Sequence, residues 1–408
     1  MTHNGQSKLP PSFYLIIISR LTSTFGTYLN ILAINLFILE LTNSPVWIAA
    51  AMAVRMAAGI VSSPYIGHIA DKYNRKTLMI VSDVVLGAAV LLLIFVPEAY
   101  ALYYIIFLMI IWGIFSTIYE VCLQAAIPVI LDNQGIFKAN SILMGGRNLA
   151  IALSGLCAAF AAYFLKGYTA IFAIDAVTYF ISAVTLVSIS IKTISHPLSK
   201  NTPHAAKKSI GAAYKELKIL PNFNIIIFFL FILFLDALAS ASHNIGMPVF
   251  SKALDPDKPM HFYGLILSTW AIGNIFGIFY LNKSQFLKRF RPEFLYPAFT
   301  ALMSLGMIGI FQTGLTAVIL IAAFTAGTGD GAYQTYLQTY IQQAEDSLRA
   351  KIFALHALAM RTGFGIGFVL VPILLQYVGV NFVVILLHGP VALICLLSFI
   401  RLKNKLPT

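Results

Sequence analysis

Charged residues are scarce in this 408-residue chain, at 10% of the total, whereas hydrophobic residues make up 59% and the mean hydropathy is +0.85. A water-soluble core of this size cannot cover so much apolar surface. The composition therefore excludes an ordinary soluble domain. It indicates a chain that crosses a membrane many times.

Patterns for metal, nucleotide or enzyme chemistry are also missing. The three cysteines have no metal-ligand spacing and all fall in apolar stretches, at Cys122, Cys157 and Cys395. The run Gly363 to Gly367 lacks the strand that a dinucleotide fingerprint needs and is typical of close helix packing. Without a Walker-type loop, an ATP-driven pump is disfavoured. We expect no cofactor, no metal and no enzymatic activity, although a membrane-embedded enzyme stays as an alternative.

What the sequence has in abundance is apolar runs of about 20 residues or more, the length of a membrane-crossing helix. Twelve such runs predict transmembrane helices near 12–41, 45–70, 75–97, 100–129, 138–165, 168–192, 222–251, 261–282, 294–313, 315–343, 350–378 and 380–401. The longest polar interruption divides them into a six-helix half at 1–192, a linker at 193–221 and a second six-helix half at 222–408. Within the linker, Ser209 to Leu220 predicts a basic amphipathic segment at the membrane surface, either a tether or a site for lipid or a partner.

Basic residues outnumber acidic ones, and the formal net charge is +12. Most Lys and Arg fall in alternate loops, as the positive-inside rule requires when both termini are cytoplasmic. This distribution argues against a nucleic-acid partner. The basic loops include Lys72, Arg75 and Lys76, then Lys207, Lys208, Lys215 and Lys218, then Lys283, Lys288, Arg289 and Arg291.

The two halves contain a weak internal repeat. A shift of 214 residues aligns helices 4 and 5 with helices 10 and 11, matching Tyr119, Gln124 and Arg147 with Tyr333, Gln338 and Arg361. The same shift matches Gly59 with Gly273 and Gly113 with Gly327. Parallel repeats of this kind occur in transporters with six helices in each half.

A short charged passage between helices 2 and 3 carries the clearest motif. It runs Gly67-His68-Ile69-Ala70-Asp71-Lys72-Tyr73-Asn74-Arg75-Lys76 and has the form Gly-x-x-x-Asp-Lys-x-x-Arg-Lys. This form resembles the gate-controlling loop of major facilitator superfamily transporters. That resemblance assigns the gate to Gly67, Asp71, Lys72, Arg75 and Lys76. Asn74 replaces the second glycine of the family, a mild departure because Asn tolerates turn conformations with positive φ better than most residues.

Together with Gly327 to Gln342 and Arg349, this motif resembles the branch containing macrolide exporters and bacterial siderophore exporters. The resemblance implies an all-α membrane protein of two pseudo-symmetric six-helix halves, working by alternating access in the bacterial inner (plasma) membrane. It also implies proton-coupled export of a small amphipathic or zwitterionic molecule, such as a drug or siderophore-like metabolite, by a monomer. A lysophospholipid or lipid flippase and a non-transporting membrane sensor remain alternatives on the same scaffold.

Charged residues within membrane helices are costly, so each one needs a partner or a wet cavity. On the helices that line the cavity in transporters of this fold, the candidates for proton coupling or substrate binding are Asp236, Asp330, Arg55, His243 and Glu120. Asp236 and Asp330 either bind protons or cations or fix helix packing through neighbouring hydroxyls or bases. Arg55 is a counter-ion for an anion or for one of these acids. His243 lies on the same helix face as Asp236 and serves either as a proton relay or as a packing residue.

Near the cytoplasmic end, four charged residues reach similar depths along their helices, since each residue adds 1.5 Å. They are Arg20, Asp83, Glu120 and Arg147, with Arg361 at the repeat position of Arg147. We expect either a gate network that exchanges partners or a static network that locks the helices together. Asp71 has no acid at its repeat position, Gln285, which predicts a partner near Arg349 and Lys351 at the start of helix 11.

Overall fold

The computed structural model describes residues 9–131, 136–189, 223–280, 284–285, 287–342 and 346–403, with backbone alone at 136–138, 288, 292, 339, 342, 346–351 and 399–403. The chain divides into two compact units, Met1–Thr202 and Pro203–Thr408. The predicted linker at 193–221 lies outside the described residues.

The first unit contains six α-helices in its described part. They are α1 Pro11–Thr42, α2 Pro45–Lys72, α3 Arg75–Leu93, α4 Glu98–Ile130, α5 Ile136–Phe164 and α6 Thr169–Val187. Helix α1 packs on α5 and α6, α2 packs on α4, and α3 packs on α4 and α6.

The second unit repeats this arrangement. Its helices are α7 Phe223–Leu254, α8 Pro259–Phe279, α9 Pro292–Ile310, α10 Thr316–Gln342, α11 Asp346–Tyr377 and α12 Val380–Lys403, with a 3₁₀ turn at Leu287–Arg289. Here α7 packs on α11 and α12, α8 on α10, and α9 on α10 and α12. The five strongest pairings of the first unit therefore recur at equivalent helices, as the sequence repeat predicts.

Helix starts follow local chemistry. Proline occupies the first turn of α1, α2, α8 and α9, where its missing N–H leaves no hydrogen bond unmade. Asn43, after α1, has φ 47° and ends that helix in the left-handed conformation. The shortest helices have 19 residues, about 28 Å at 1.5 Å per residue, which is close to the hydrocarbon thickness of a bilayer.

Glycines set the closest helix crossings in both units. A Cβ on Gly113 of α4 would overlap the backbone oxygen of Arg55 in α2, and one on Gly327 of α10 would overlap that of Trp270 in α8. These two glycines are 214 residues apart. Gly363 of α11 similarly approaches the Phe234 oxygen of α7, where a Cβ would lie at 2.5 Å. Small residues thus bring membrane helices into backbone contact.

Eleven of the twelve described helices are long and apolar enough to cross a membrane, judged by length and composition. The exception is α10, whose second half carries Asp330, Gln334 and Gln338. Large apolar side chains are exposed on both units, among them Val61, Phe107, Val184, Ile321 and Leu393. Such surfaces are stable when lipid is the solvent.

Candidate functional site

The turn between α2 and α3 is built by the charged motif. Asn74 is the N-cap of α3, and its side-chain oxygen accepts from the backbone N–H groups of Lys76 and Thr77. Its φ is −63° and its ψ is 117°, so the backbone at Asn74 is extended. The physical reason is that Asn serves here as a helix-capping acceptor, which requires extended rather than left-handed backbone.

The last two bases of the motif, Arg75 and Lys76, bond backbone carbonyls near the ends of other helices. Arg75 Nη1 donates to the Ala125 carbonyl in α4 at 2.8 Å. Lys76 Nζ donates to the carbonyls of Val187 and Ile189 at 3.1 and 2.5 Å, where α6 ends. A cation at the carboxyl end of a helix is stabilised by the helix dipole. Both contacts stabilise the first unit by itself.

The other motif residues are more open. The Asp71 side chain is 68% exposed, and its Oδ1 lies 3.7 Å from Arg75 Nη2. Lys72 Nζ lies 5.5 Å from the centroid of the Tyr73 ring. A Cβ on Gly67 would meet no atom within 4 Å. The side chains of Arg349 and Lys351, the expected partners of Asp71, are outside what the structure describes.

Arg20 and Glu120 form an ion pair. Arg20 Nη2 donates to Glu120 Oε2 at 2.8 Å, and the side chains are 31% and 46% exposed. The Arg20 guanidinium also lies over the Tyr119 ring at 5.1 Å, and Gln124 Nε2 donates to Glu120 Oε1 at 3.1 Å. The structure thus joins a predicted network residue to a predicted coupling residue.

The remaining residues of the predicted network have other partners. Arg147 Nη2 donates to the Tyr28 hydroxyl at 2.5 Å. Asp83 accepts from Ser182 Oγ at 2.5 Å, and that hydroxyl lies 2.7 Å from Ser19 Oγ. Arg361 is exposed on α11 and is in no ion pair with another described residue. Direct contact therefore links two of the five residues, Arg20 and Glu120, and the gate role remains a prediction.

Arg55 pairs with an aromatic ring instead of a carboxylate. Its guanidinium lies 4.3 Å from the Trp112 ring centroid, and Asp175 in α6 is within electrostatic range. Asp175 is fully buried and accepts from Asn30 Nδ2 at 2.5 Å. Arg55 is therefore a cation of the first unit that forms no ion pair with a described carboxylate.

Asp236 lies in the middle of α7 and is 3% exposed. The Tyr333 hydroxyl of α10 donates to its Oδ2 at 2.8 Å. Its Oδ1 is buried and has no hydrogen-bond partner among the described residues. An unmet acceptor in the interior costs free energy when the group is charged, so this carboxyl is suited to carry a proton.

Asp330 in α10 is bonded more completely. Asn274 Nδ2 of α8 donates to its Oδ2 at 2.6 Å, and Gln334 Nε2 donates to its Oδ1 at 2.8 Å. It also interacts electrostatically with Asp236. Both acids are candidates for coupling from the sequence, and the structure places them within electrostatic range of each other.

His243 faces a second histidine. Its Nδ1 lies 3.2 Å from His388 Nε2 of α12, and the rings are nearly parallel with centroids 5.4 Å apart. His388 is fully buried, and its Nδ1 lies 3.3 Å from Ser304 Oγ of α9. His243 thus belongs to a His–His–Ser chain, whereas Asp236 is bonded by Tyr333, and the proton-relay role of His243 remains a prediction.

The described residues contain no group of three or more His, Cys, Asp or Glu side chains that could hold a metal ion. Cys122 and Cys395 are buried and Cys157 is partly buried, all as free thiols. The chemistry of both units thus consists of hydrogen-bonded and ionisable side chains within membrane helices.

The family comparison decides the identity of this fold. The Major Facilitator Superfamily model matches residues 16–345. The chain belongs to the Major Facilitator Superfamily. It is accordingly a multi-pass membrane transporter for a small molecule and not an enzyme.

Relatives and solved structures agree with this superfamily. YvqJ of Bacillus subtilis (strain 168), an uncharacterized MFS-type transporter, is 24% identical over 346 residues, covering 82% of this chain and 79% of that protein. YfiS of the same organism, also uncharacterized, is 28% identical over 215 residues, covering 50% of this chain and 49% of YfiS.

Two solved transporters share the fold. The nucleoside transporter NupG matches with a TM-score of 0.73 and 14% identity, covering 97% of this chain and all (100%) of that chain. The peptide transporter POT in complex with sulfate matches with a TM-score of 0.72 and 14% identity, covering 97% and 95%. At this identity the likeness establishes the major facilitator fold alone.

Several hydrogen-bond partners of the buried ionisable residues were not predicted from the sequence. Ser182, Asn274 and Ser304 bond Asp83, Asp330 and His388 from other helices. Each lies in an apolar run where a lone small polar residue has no evident role. Periodicity identifies which face such a residue occupies but not the helix it meets.

Proposed function

We propose that this major facilitator transporter is a proton-coupled exporter of a small amphipathic or zwitterionic molecule, acting in the bacterial inner (plasma) membrane by alternating access. The direction is supported by the resemblance of Gly67 to Lys76 and of Gly327 to Gln342 to the macrolide and siderophore exporter branch. The distribution of Lys and Arg supports cytoplasmic termini.

The observation that carries proton coupling is the environment of Asp236. It is a buried carboxyl on a membrane helix, with one oxygen bonded by Tyr333 and the other unbonded. Such a group changes charge when solvent or substrate reaches it, because desolvation favours the neutral form and water favours the charged form. Asp330, with both oxygens bonded by amides, is suited to a positioning role.

The mixture of charges supports a polar or zwitterionic substrate. The first unit holds Arg55 against Trp112, an arrangement that leaves the guanidinium available to an anionic group. The second unit holds the two candidate coupling acids, Asp236 and Asp330. A molecule with both an acidic and a basic group, or with several hydroxyls, matches these groups better than a purely apolar one.

Uptake into inside-out membrane vesicles tests this proposal. We would impose a pH gradient that is acidic inside the vesicles and measure the accumulation of a macrolide and of a catecholate siderophore. Accumulation above the external concentration, abolished by a protonophore, is the expected result for at least one probe. Downhill movement that ignores the gradient would contradict proton coupling. Binding without any flux would instead identify a sensor.

A further inference from the structure

A cavity of about 410 Å³ lies in the second unit, where the first turns of α7 and α9 meet the last turns of α12. Its walls are mostly apolar and include Ile225, Phe228, Phe229, Ile394 and Leu397. The volume falls within the range of small-molecule sites, about 300–1,000 Å³, and far exceeds that of one water. No residue proposed for coupling or gating lines it.

One acid projects from this apolar wall. Glu293, in the first turn of α9, lines the cavity, and its Oε2 is buried with no hydrogen-bond partner in the part of the chain that the structure describes. Asn224 and Ser398 are the other polar side chains of the wall, and the Ser398 hydroxyl donates to the Cys395 carbonyl. A carboxylate oxygen in such surroundings needs a donor, and a cation is the strongest one.

A second unmet group lies beside the cavity. The Tyr340 ring of α10 packs on Phe229 with centroids 5.1 Å apart, and its hydroxyl is buried and makes no hydrogen bond to a described residue. Glu293 and Tyr340 are close enough to interact electrostatically. Tyr340 is outside the cavity wall, so Glu293 is the charged group that a ligand in the cavity meets.

The outer face of α12 extends the cavity along the membrane-crossing direction. Leu386, Leu393 and Leu397 recur at intervals of seven and four residues, which places them on one helix face. They are 43%, 58% and 47% exposed, and Leu397 is also in the cavity wall. The cavity therefore opens onto an apolar stripe at the membrane surface where α7 begins and α12 ends.

We propose that this cavity is a binding site for a phospholipid with a primary ammonium headgroup. The ammonium donates to Glu293 in the cavity wall, and an acyl chain lies along the Leu386–Leu397 stripe. The surrounding bilayer supplies this ligand at high local concentration. The inference is independent of the proposed direction and coupling of transport.

Lipid binding to the purified, delipidated full-length chain tests the site. Native mass spectrometry would compare phosphatidylethanolamine, phosphatidylcholine and phosphatidylglycerol. We expect phosphatidylethanolamine to bind most tightly, because a quaternary ammonium cannot donate a hydrogen bond and phosphatidylglycerol lacks the cation. Glu293→Gln should weaken phosphatidylethanolamine binding at least tenfold. Glu98→Gln, which alters an exposed acid in the first turn of α4, is the matched control and should leave it unchanged.

A second pair of variants covers the case in which Glu293→Gln fails to fold. Leu397→Trp fills the cavity and should also weaken binding, whereas Leu153→Trp, at a side chain 50% exposed on α5, should not. Equal affinity for the three lipids would overturn the proposal. Unchanged binding in both Glu293→Gln and Leu397→Trp would also overturn it, because the lipid would then bind elsewhere on the protein.

Discussion

Two buried carboxyls in the second unit differ in how completely their oxygens are bonded. Asp330 receives a donor on each oxygen, whereas Asp236 receives one, from Tyr333. A bonded carboxylate is stabilised in its charged form, and an unbonded one is not. The difference assigns unequal roles to two acids that the sequence alone could not separate.

Tyr333→Phe should shift the pH dependence of transport. The variant removes the only donor to Asp236 within 3.5 Å among the described residues, which destabilises the charged carboxylate relative to the neutral acid. The pH of half-maximal transport should therefore move upward, as measured in vesicles over a pH series. Tyr119→Phe is the control at the repeat position, since that hydroxyl makes no hydrogen bond within 3.5 Å to a described residue. Equal shifts in both variants would contradict a specific role for Tyr333.

The Arg20–Glu120 pair should couple measurably to stability. Both side chains are part-exposed, so the pair is not worth the energy of a fully buried one. In a double-mutant cycle of Arg20→Gln and Glu120→Gln, we expect a coupling energy of about 1 kcal/mol. Reversible unfolding in detergent provides the measurement. A coupling energy near zero would mean that the contact does not stabilise the first unit.

At the scale of the helices, equivalent glycine crossings hold α2 to α4 and α8 to α10. Gly113→Ala and Gly327→Ala should each destabilise by about 1–3 kcal/mol, because the added methyl meets backbone that must move. Gly67→Ala is the control, since its Cβ would meet nothing within 4 Å, and stability should stay within about 1 kcal/mol of wild type. Melting temperatures of the three variants provide the measurement. The same melting temperature in all three would contradict this account.

In the loop motif, Arg75 and Lys76 bond neighbouring helices, whereas the Asp71 side chain is exposed. Asp71→Asn should leave the melting temperature unchanged, because Asp71 is exposed and its contact with Arg75 is long at 3.7 Å. Transport should fall several-fold, because Asp71 is a predicted gate residue. Arg75→Gln should lower the melting temperature, since it loses the bond to the Ala125 carbonyl. Transport at the wild-type rate in Asp71→Asn would remove Asp71 from the gate.

Helix positions were predictable because apolar runs and prolines mark them. The second run was predicted at 45–70, and α2 extends from Pro45 to Lys72. The seventh was predicted to end at 251, whereas α7 continues to Leu254, because Pro248 and Lys252 are accommodated within it. The capping role of Asn74 was not predicted, because the same residue type suits a turn and an N-cap and the sequence does not distinguish them.

At the scale of the whole molecule, the sequence located the buried charges but not their partners. Tyr333 reaches Asp236 across 97 residues, and His388 reaches His243 across 145. Such pairs depend on which helices pack together, and amphipathic periodicity does not encode that choice. The sequence repeat reduces the number of possible helix pairings, since equivalent helices make equivalent contacts in each unit. The two acids of the second unit have no such guide, because their repeat positions are Thr22 and Ser116.

The most direct test of the central claim compares exchange with accumulation in Asp236→Asn and Asp330→Asn. A coupling residue is needed for uphill transport but not for exchange of substrate across vesicles at equal pH. We predict that Asp236→Asn retains exchange and loses gradient-driven accumulation of the transported probe, whereas Asp330→Asn changes both rates together. Uphill accumulation in Asp236→Asn with an unchanged pH dependence would contradict the account and make that carboxyl structural.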